Sequence, residues 1–171
     1  ETLLHLFSHT GTHMDAPAHM LPDGAALDSY GAEKFAGTAV VADCRGQAAI
    51  TLPLLKSYDL TGVDFVLFCT GWDKKWGSSA YYEGFPCLTA DAAGYLASLP
   101  LKGVGEDTIS PDPCDSTDFP NHIALMRSDF VNTENLTGLD DLIGRRFTFV
   151  TLPLKFENSD GCSCRAIAME E

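Results

Sequence analysis

Three histidines and an aspartate fall within eleven positions near the start of the chain, in the run His9-Thr10-Gly11-Thr12-His13-Met14-Asp15-Ala16-Pro17-Ala18-His19. Imidazole and carboxylate are the side chains that Zn2+, Mn2+ and Fe2+ accept, and two imidazoles with one carboxylate leave coordination positions open to water. His9, His13 and Asp15 therefore read as a metal shell. His19, set apart by Pro17 and Ala18, reads as an imidazole beside the ion that is free to move protons. If it were a fourth ligand instead, the site would be a closed, structural zinc centre.

This spacing constrains the backbone. All four residues occupy odd positions, so an extended chain points them to one face, while Pro17 excludes a helix. Four residues of fully extended strand would hold His9 and His13 roughly 13 Å apart, a long reach for two imidazoles sharing one ion. The chain must curl, and Gly11 is the residue able to take a positive φ there. Thr12 is placed to hydrogen-bond either a ligand or the backbone.

The elements that carry this run belong to an α/β chain. With 171 residues, 45% hydrophobic and 20% charged, the sequence is that of one globular domain over residues 1–171. The apolar runs Leu3 to Phe7, Thr38 to Asp43, Asp64 to Gly71, Gly103 to Asp107 and Arg145 to Phe156 predict strands. Several lack polar alternation, the pattern of strands buried on both faces. Thr89 is the expected N-cap of a helix that Pro100 ends, and a second, shorter helix is expected to begin near Pro120 and to carry His122. Two long loops, residues 20–37 and 108–120, flank the chemistry-bearing residues and are functional candidates by length.

Composition excludes some partners. A net charge of −13 and a pI near 4.5 oppose binding to nucleic acid or to an anionic membrane surface, and no apolar run is long enough for a membrane span. The six cysteines are scattered, with one Cys-x-Cys pair and no Cys-x-x-Cys. That pattern favours reduced thiols filling a core in the cytoplasm. Glu1 is not a methionine, and a further N-terminal segment is expected upstream.

The intervening residues add to the spacing. The run from His9 to His19 resembles the HxGTHxDxPxH signature of the cyclase-like metal-dependent hydrolases, with every fixed position filled. The resemblance continues through Thr70-Gly71-Trp72, "GVGEDTISPDP", "NHIALM", "ENLTGLDDLIGRRFTFVTLPLK" and "DGCSCRAIA". It implies a swivelling β/β/α domain, a mixed sheet with flanking helices, assembled as homodimers or homotetramers around a divalent metal. In the formamidase branch two ions are bound. There His9, His13 and Asp15 would hold one, Asp15 would bridge to a second held also by His122 and Glu134, and His19 would be the catalytic histidine. The isatin hydrolase branch carries an amide in place of Glu134 and works with one manganese, so Glu134 favours the two-metal arrangement.

The chemistry implied is hydrolysis of a C–N amide bond, with Zn2+ or Mn2+ at one or two ions per chain and His19 delivering a proton to the departing nitrogen. The leading substrate is a small aromatic amide, an N-formyl aryl amine; a cyclic lactam is the alternative. Phe7, Trp72 and Trp76 are candidates to line its pocket, although Trp72, Trp76, Tyr81 and Tyr82 equally suit an interface between subunits. Two other classes remain open on ligand chemistry alone: a non-haem iron oxidoreductase and a non-catalytic metal-binding protein.

Overall fold

In the computed structural model, which describes residues 1–170, seven strands close into a barrel. They are β1 (His13–Asp15), β2 (Ala36–Asp43), β3 (Phe65–Cys69), β4 (Gly103–Glu106), β5 (Val131–Glu134), β6 (Arg146–Pro153) and β7 (Gly161–Met169). Their order around the barrel is β1-β5-β4-β3-β2-β6-β7. Strands β2, β3, β4 and β5 run parallel, and the remaining pairings are antiparallel. Parallel neighbours need a crossover, and the helices α1 (Leu52–Leu55), α2 (Ala90–Ala97) and α3 (Pro120–Met126) lie in the three crossovers. The α/β expectation, a mixed sheet with flanking helices, is met.

Side-chain alternation divides the core in two. Val40, Ala42, Val66, Phe68 and Val104 point to the helices, where they pack with Ala92, Leu96 and Leu125. Their sequence neighbours Ala39, Val41, Phe65 and Leu67 fill the barrel with Phe147 and Phe149 of β6, Met14 and Val131. Every residue of β3 is buried, as its unbroken apolar run predicts. Burial of each such Leu, Val or Phe contributes about 1.5–3 kcal/mol.

Several expectations need correction. Leu3 to Phe7 is not a strand: Leu3 is 95% and Phe7 87% exposed. Both edges of β1 are already paired, one with β5 and the other with β7, so the preceding segment has no ladder to join there. Strands β5 and β7 were not expected, because "VNTE" and "GCSCRAIAM" are poor in the residues that mark strands. Thr89 occupies the N-cap of α2, but its hydroxyl accepts no helix amide hydrogen and instead donates to Asp91 Oδ1 at 2.6 Å. The cysteines are all free, and Cys44, Cys69 and Cys162 are core residues. Cys114 is exposed, in the loop before α3, and fills no core.

Candidate metal centre

The strand β1 has three residues, all buried, and two of them are candidate ligands. His13 and Asp15 face the helix side of the sheet, while Met14 between them is fully buried in the barrel. Cross-strand pairing sets His13 opposite Glu134 and Asp15 opposite Asn132. Gly11 takes φ +66°, the bend required by the spacing, and His9 folds back until its Nδ1 lies 2.6 Å from Asp15 Oδ1. That path crosses β7 so closely that a Cβ on Gly161 would sit 2.3 Å from His9 Cε1. Pro17 opens a 3-10 turn ending at His19, which stacks the His19 ring 4.0 Å from that of His9.

The first turn of α3 supplies His122. Its Nε2 lies 3.2 Å from Glu134 Oε1 and 3.7 Å from Asp15 Oδ2, so Asp15 joins the two halves of the cluster. His13 Nε2 is 3.2 Å from Asp15 Oδ1 and 3.5 Å from Glu134 Oε2. Ligand atoms of His13, Asp15 and Glu134 all lie within 4.8 Å of one another, as do those of His9, Asp15 and His19. The six residues singled out in the sequence thus meet in one cleft of about 560 Å³. His19, expected beside the ion, is as close to Asp15 and His9 as a ligand would be.

Electrostatics favour a cation. Asp15 and Glu134 are buried, and among the described residues their ion pairs are with histidines alone. Burial works against the charge of Asp15, but hydrogen bonds from His122, His13 and His9 hold it well below the usual carboxylate range. Glu134 is pushed up to about 7, by burial and then by the charge of Asp15. Burial disfavours charged imidazole at His13 and His122, yet their carboxylate neighbours raise them to about 9 and about 12. His19 goes the other way: burial lowers it, and the positive neighbours His9 and His122 add to that. A buried set of carboxylates that draws protons onto its imidazoles is a donor set suited to a divalent cation.

The supporting residues were not legible as such. Asp112 Oδ2 lies 2.7 Å from His122 Nδ1, and Asp160 Oδ2 lies 3.2 Å from His9 Nε2 and 3.7 Å from His19 Nδ1. Asn135 donates from Nδ2 to Gly11 O at 3.0 Å, securing the bend from outside. Thr12 takes the backbone option, donating to Asn135 O at 2.7 Å.

The cleft is lined by Phe85 and Phe119, with Ile109 and Met20, rather than by Phe7, Trp72 or Trp76. Trp72 is tied down by its indole N–H, which donates to Tyr81 O at 2.8 Å, and it packs edge-on against Phe85. Trp76 is 58% exposed and borders a separate cavity with Tyr81 and Asn135.

This arrangement defines a class. The model of the Cyclase family matches residues 2–113, and the chain belongs to that family. A kynurenine formamidase of Salinibacter ruber is 34% identical over 169 residues, covering 96% of this chain and 77% of the relative. A kynurenine formamidase of Bacillus cereus is 31% identical over 159 residues, covering 93% and 75%. An isatin hydrolase bound to the product analogue thioisatinate superposes with a TM-score of 0.87 at 28% identity, covering 96% of this chain and 72% of that one. Isatin hydrolase A from Ralstonia solanacearum gives a TM-score of 0.84 at 28% identity, with coverage of 94% and 72%.

Proposed function

We propose that the protein is a metal-dependent amide hydrolase of the arylformamidase type, cleaving the C–N bond of an N-formyl aryl amine such as N-formylkynurenine. The observation that carries this reading is the convergence of His9, His13, Asp15, His122 and Glu134 on one cleft, with His19 stacked against His9 at 4.0 Å. Support also comes from relatives named kynurenine formamidase at 34% and 31% identity.

His9, His13 and Asp15 would hold one divalent cation, and Asp15, His122 and Glu134 a second, as Zn2+ or Mn2+. When bound, such a cation polarises the carbonyl under attack and makes water a nucleophile near neutral pH. His19 then serves as the general acid, because the departing aryl amine needs a proton to leave. Burial lowers its imidazole below the ordinary range, so the ring rests neutral at pH 7 and takes up a proton before it delivers one to the nitrogen. Asp160, beside both His9 and His19, orients the two rings. Phe85 and Phe119 offer apolar walls to an aryl ring.

The test is hydrolysis of N-formylkynurenine by protein loaded separately with Zn2+ and Mn2+, against chelated protein and His19→Ala. Turnover that requires both the cation and His19 supports the reading. Metallated, folded protein without turnover rejects that substrate. A second reading, hydrolysis of a cyclic lactam such as isatin, is favoured by the likeness to the isatin hydrolase structures and is tested with isatin in the same assay. Uptake of dioxygen would point to the oxidoreductase class instead, and His19→Ala that leaves biological activity intact would point to a non-catalytic protein. No helix among the described residues is long and apolar enough to cross a membrane. A cytoplasmic homodimer or homotetramer is the setting we propose.

A further inference from the structure

Glu106 is a buried carboxylate that the proposed reaction does not use. It is 1% exposed and follows Val104 and Gly105 on β4. Pairing of His13 with Glu134, of Gly105 with Thr133 and of Glu106 with Phe68 sets a lateral row His13, Glu134, Glu106, Phe68 across four strands. Two acidic side chains are therefore neighbours on one buried sheet face, an arrangement that repels. Burial and the charge of Glu134 raise the Glu106 carboxyl well above its usual range.

One residue connects the two. Asn132 Nδ2 donates to Glu106 Oε1 at 3.0 Å and to Glu134 Oε1 at 3.1 Å. Among the described residues Glu106 Oε2 and Asn132 Oδ1 have no hydrogen-bond partner. Apolar residues of similar volume would fold at least as well in these two places, so stability does not account for the pair. Geometry does. A carboxamide that faced Glu134 alone could turn over and present its oxygen to that carboxylate, whereas with Glu106 Oε1 as a second acceptor on the other side turning over breaks both N–H bonds.

We propose that Glu106 is a positioning residue: it fixes the Asn132 carboxamide, whose N–H then holds the Glu134 carboxylate in the orientation a divalent cation shared with His122 and Asp15 requires. This rests on the metal-dependent reading above and extends it to a pair of residues behind the ligands. Such outer contacts set ligand orientation and hence cation affinity.

The experiment titrates metal-free wild type, Glu106→Leu, Asn132→Leu and Glu106→Gln with Mn2+ alone, counting free ion by electron paramagnetic resonance. The leucine variants are expected to bind Mn2+ about tenfold to a hundredfold more weakly, while Glu106→Gln, which keeps an acceptor for Asn132, stays within about threefold of wild type. The metal-free double variant Glu106→Leu/Asn132→Leu, which removes both partners, is expected to melt no lower than wild type, which a merely structural role would not give. Leucine variants that bind Mn2+ like wild type overturn the proposal, as does a glutamine variant as weak as Glu106→Leu, since the charge and not the hydrogen bond would then be acting. A double variant that melts lower assigns the pair to folding and overturns it too. If one leucine variant does not fold, the other decides. Failure of the underlying reading has a different signature: wild type itself takes up no Mn2+.

Discussion

Asp112 grips His122 at two points: one carboxylate oxygen, Oδ2, accepts the His122 backbone N–H at 2.9 Å and lies 2.7 Å from its ring Nδ1. The contact selects the tautomer with hydrogen on Nδ1, leaving Nε2 to face Asp15 and Glu134. Asp112→Asn is therefore expected to weaken cation affinity about tenfold to a hundredfold, measured by competition with a chromophoric chelator. An unchanged affinity would show that the α3 backbone alone places the ring.

Gly161 is the clearance under His9. A methyl group there would overlap the imidazole, and the ring must move for Gly161→Ala to fold. The expected result is loss from the metal content of the cation proposed for His9, with circular dichroism unchanged. Full metal content would mean that β7 yields instead of the ring.

Phe119 sits at φ 42°, ψ 53°, a left-handed conformation, at the N-cap of α3, with its ring 6.1 Å from that of His122. Non-glycine residues held there carry strain of about 1–3 kcal/mol, most often at functional sites. Phe119→Gly should raise the melting temperature by relieving that strain. It should also raise KM for an aryl formamide about tenfold with kcat largely retained, the loss of about 1.4 kcal/mol of uniform binding. A fall in kcat with KM unchanged would place the ring in the chemical step.

Tyr81 Oη donates to Asn135 Oδ1 at 2.7 Å in a buried pair. Tyr81→Phe leaves that acceptor unsatisfied, which costs about 1–3 kcal/mol and is read as a lower midpoint in urea. Because Asn135 also secures Gly11, the variant should lose some cation affinity as well. A midpoint equal to wild type would refute the stabilising role.

The residues that bear the proposed chemistry could be read from the chain because their types and spacing are local. His9, His13, Asp15 and His19 lie within one bend, and Gly11 and Pro17 announce its shape. The apolar strands β2, β3 and β6 were equally visible, since an unbroken or alternating run needs no partner to be recognised. Asp112, Asp160 and Asn135 were not, because an acidic or amide side chain in a loop looks solvated until folding brings a histidine beside it. The strand β5 was hidden for a related reason: its polar side chains belong to the site. Phe85 and Phe119, which line the cleft, carried no local signal, while Trp72 spends its indole on Tyr81 O.

The pairing of β1 has a kinetic meaning. Its three residues join β5 on one side and β7 on the other, so both ladders of the strand that carries His13 and Asp15 are made with residues more than a hundred positions distant along the chain. Such pairings come late, after the entropy of closing long loops has been met. The helix-side core of β2, β3 and β4 can collapse on more local contacts first. The cluster of imidazoles and carboxylates then assembles as the barrel closes, and a nascent chain has no complete site until it has been synthesised through β7.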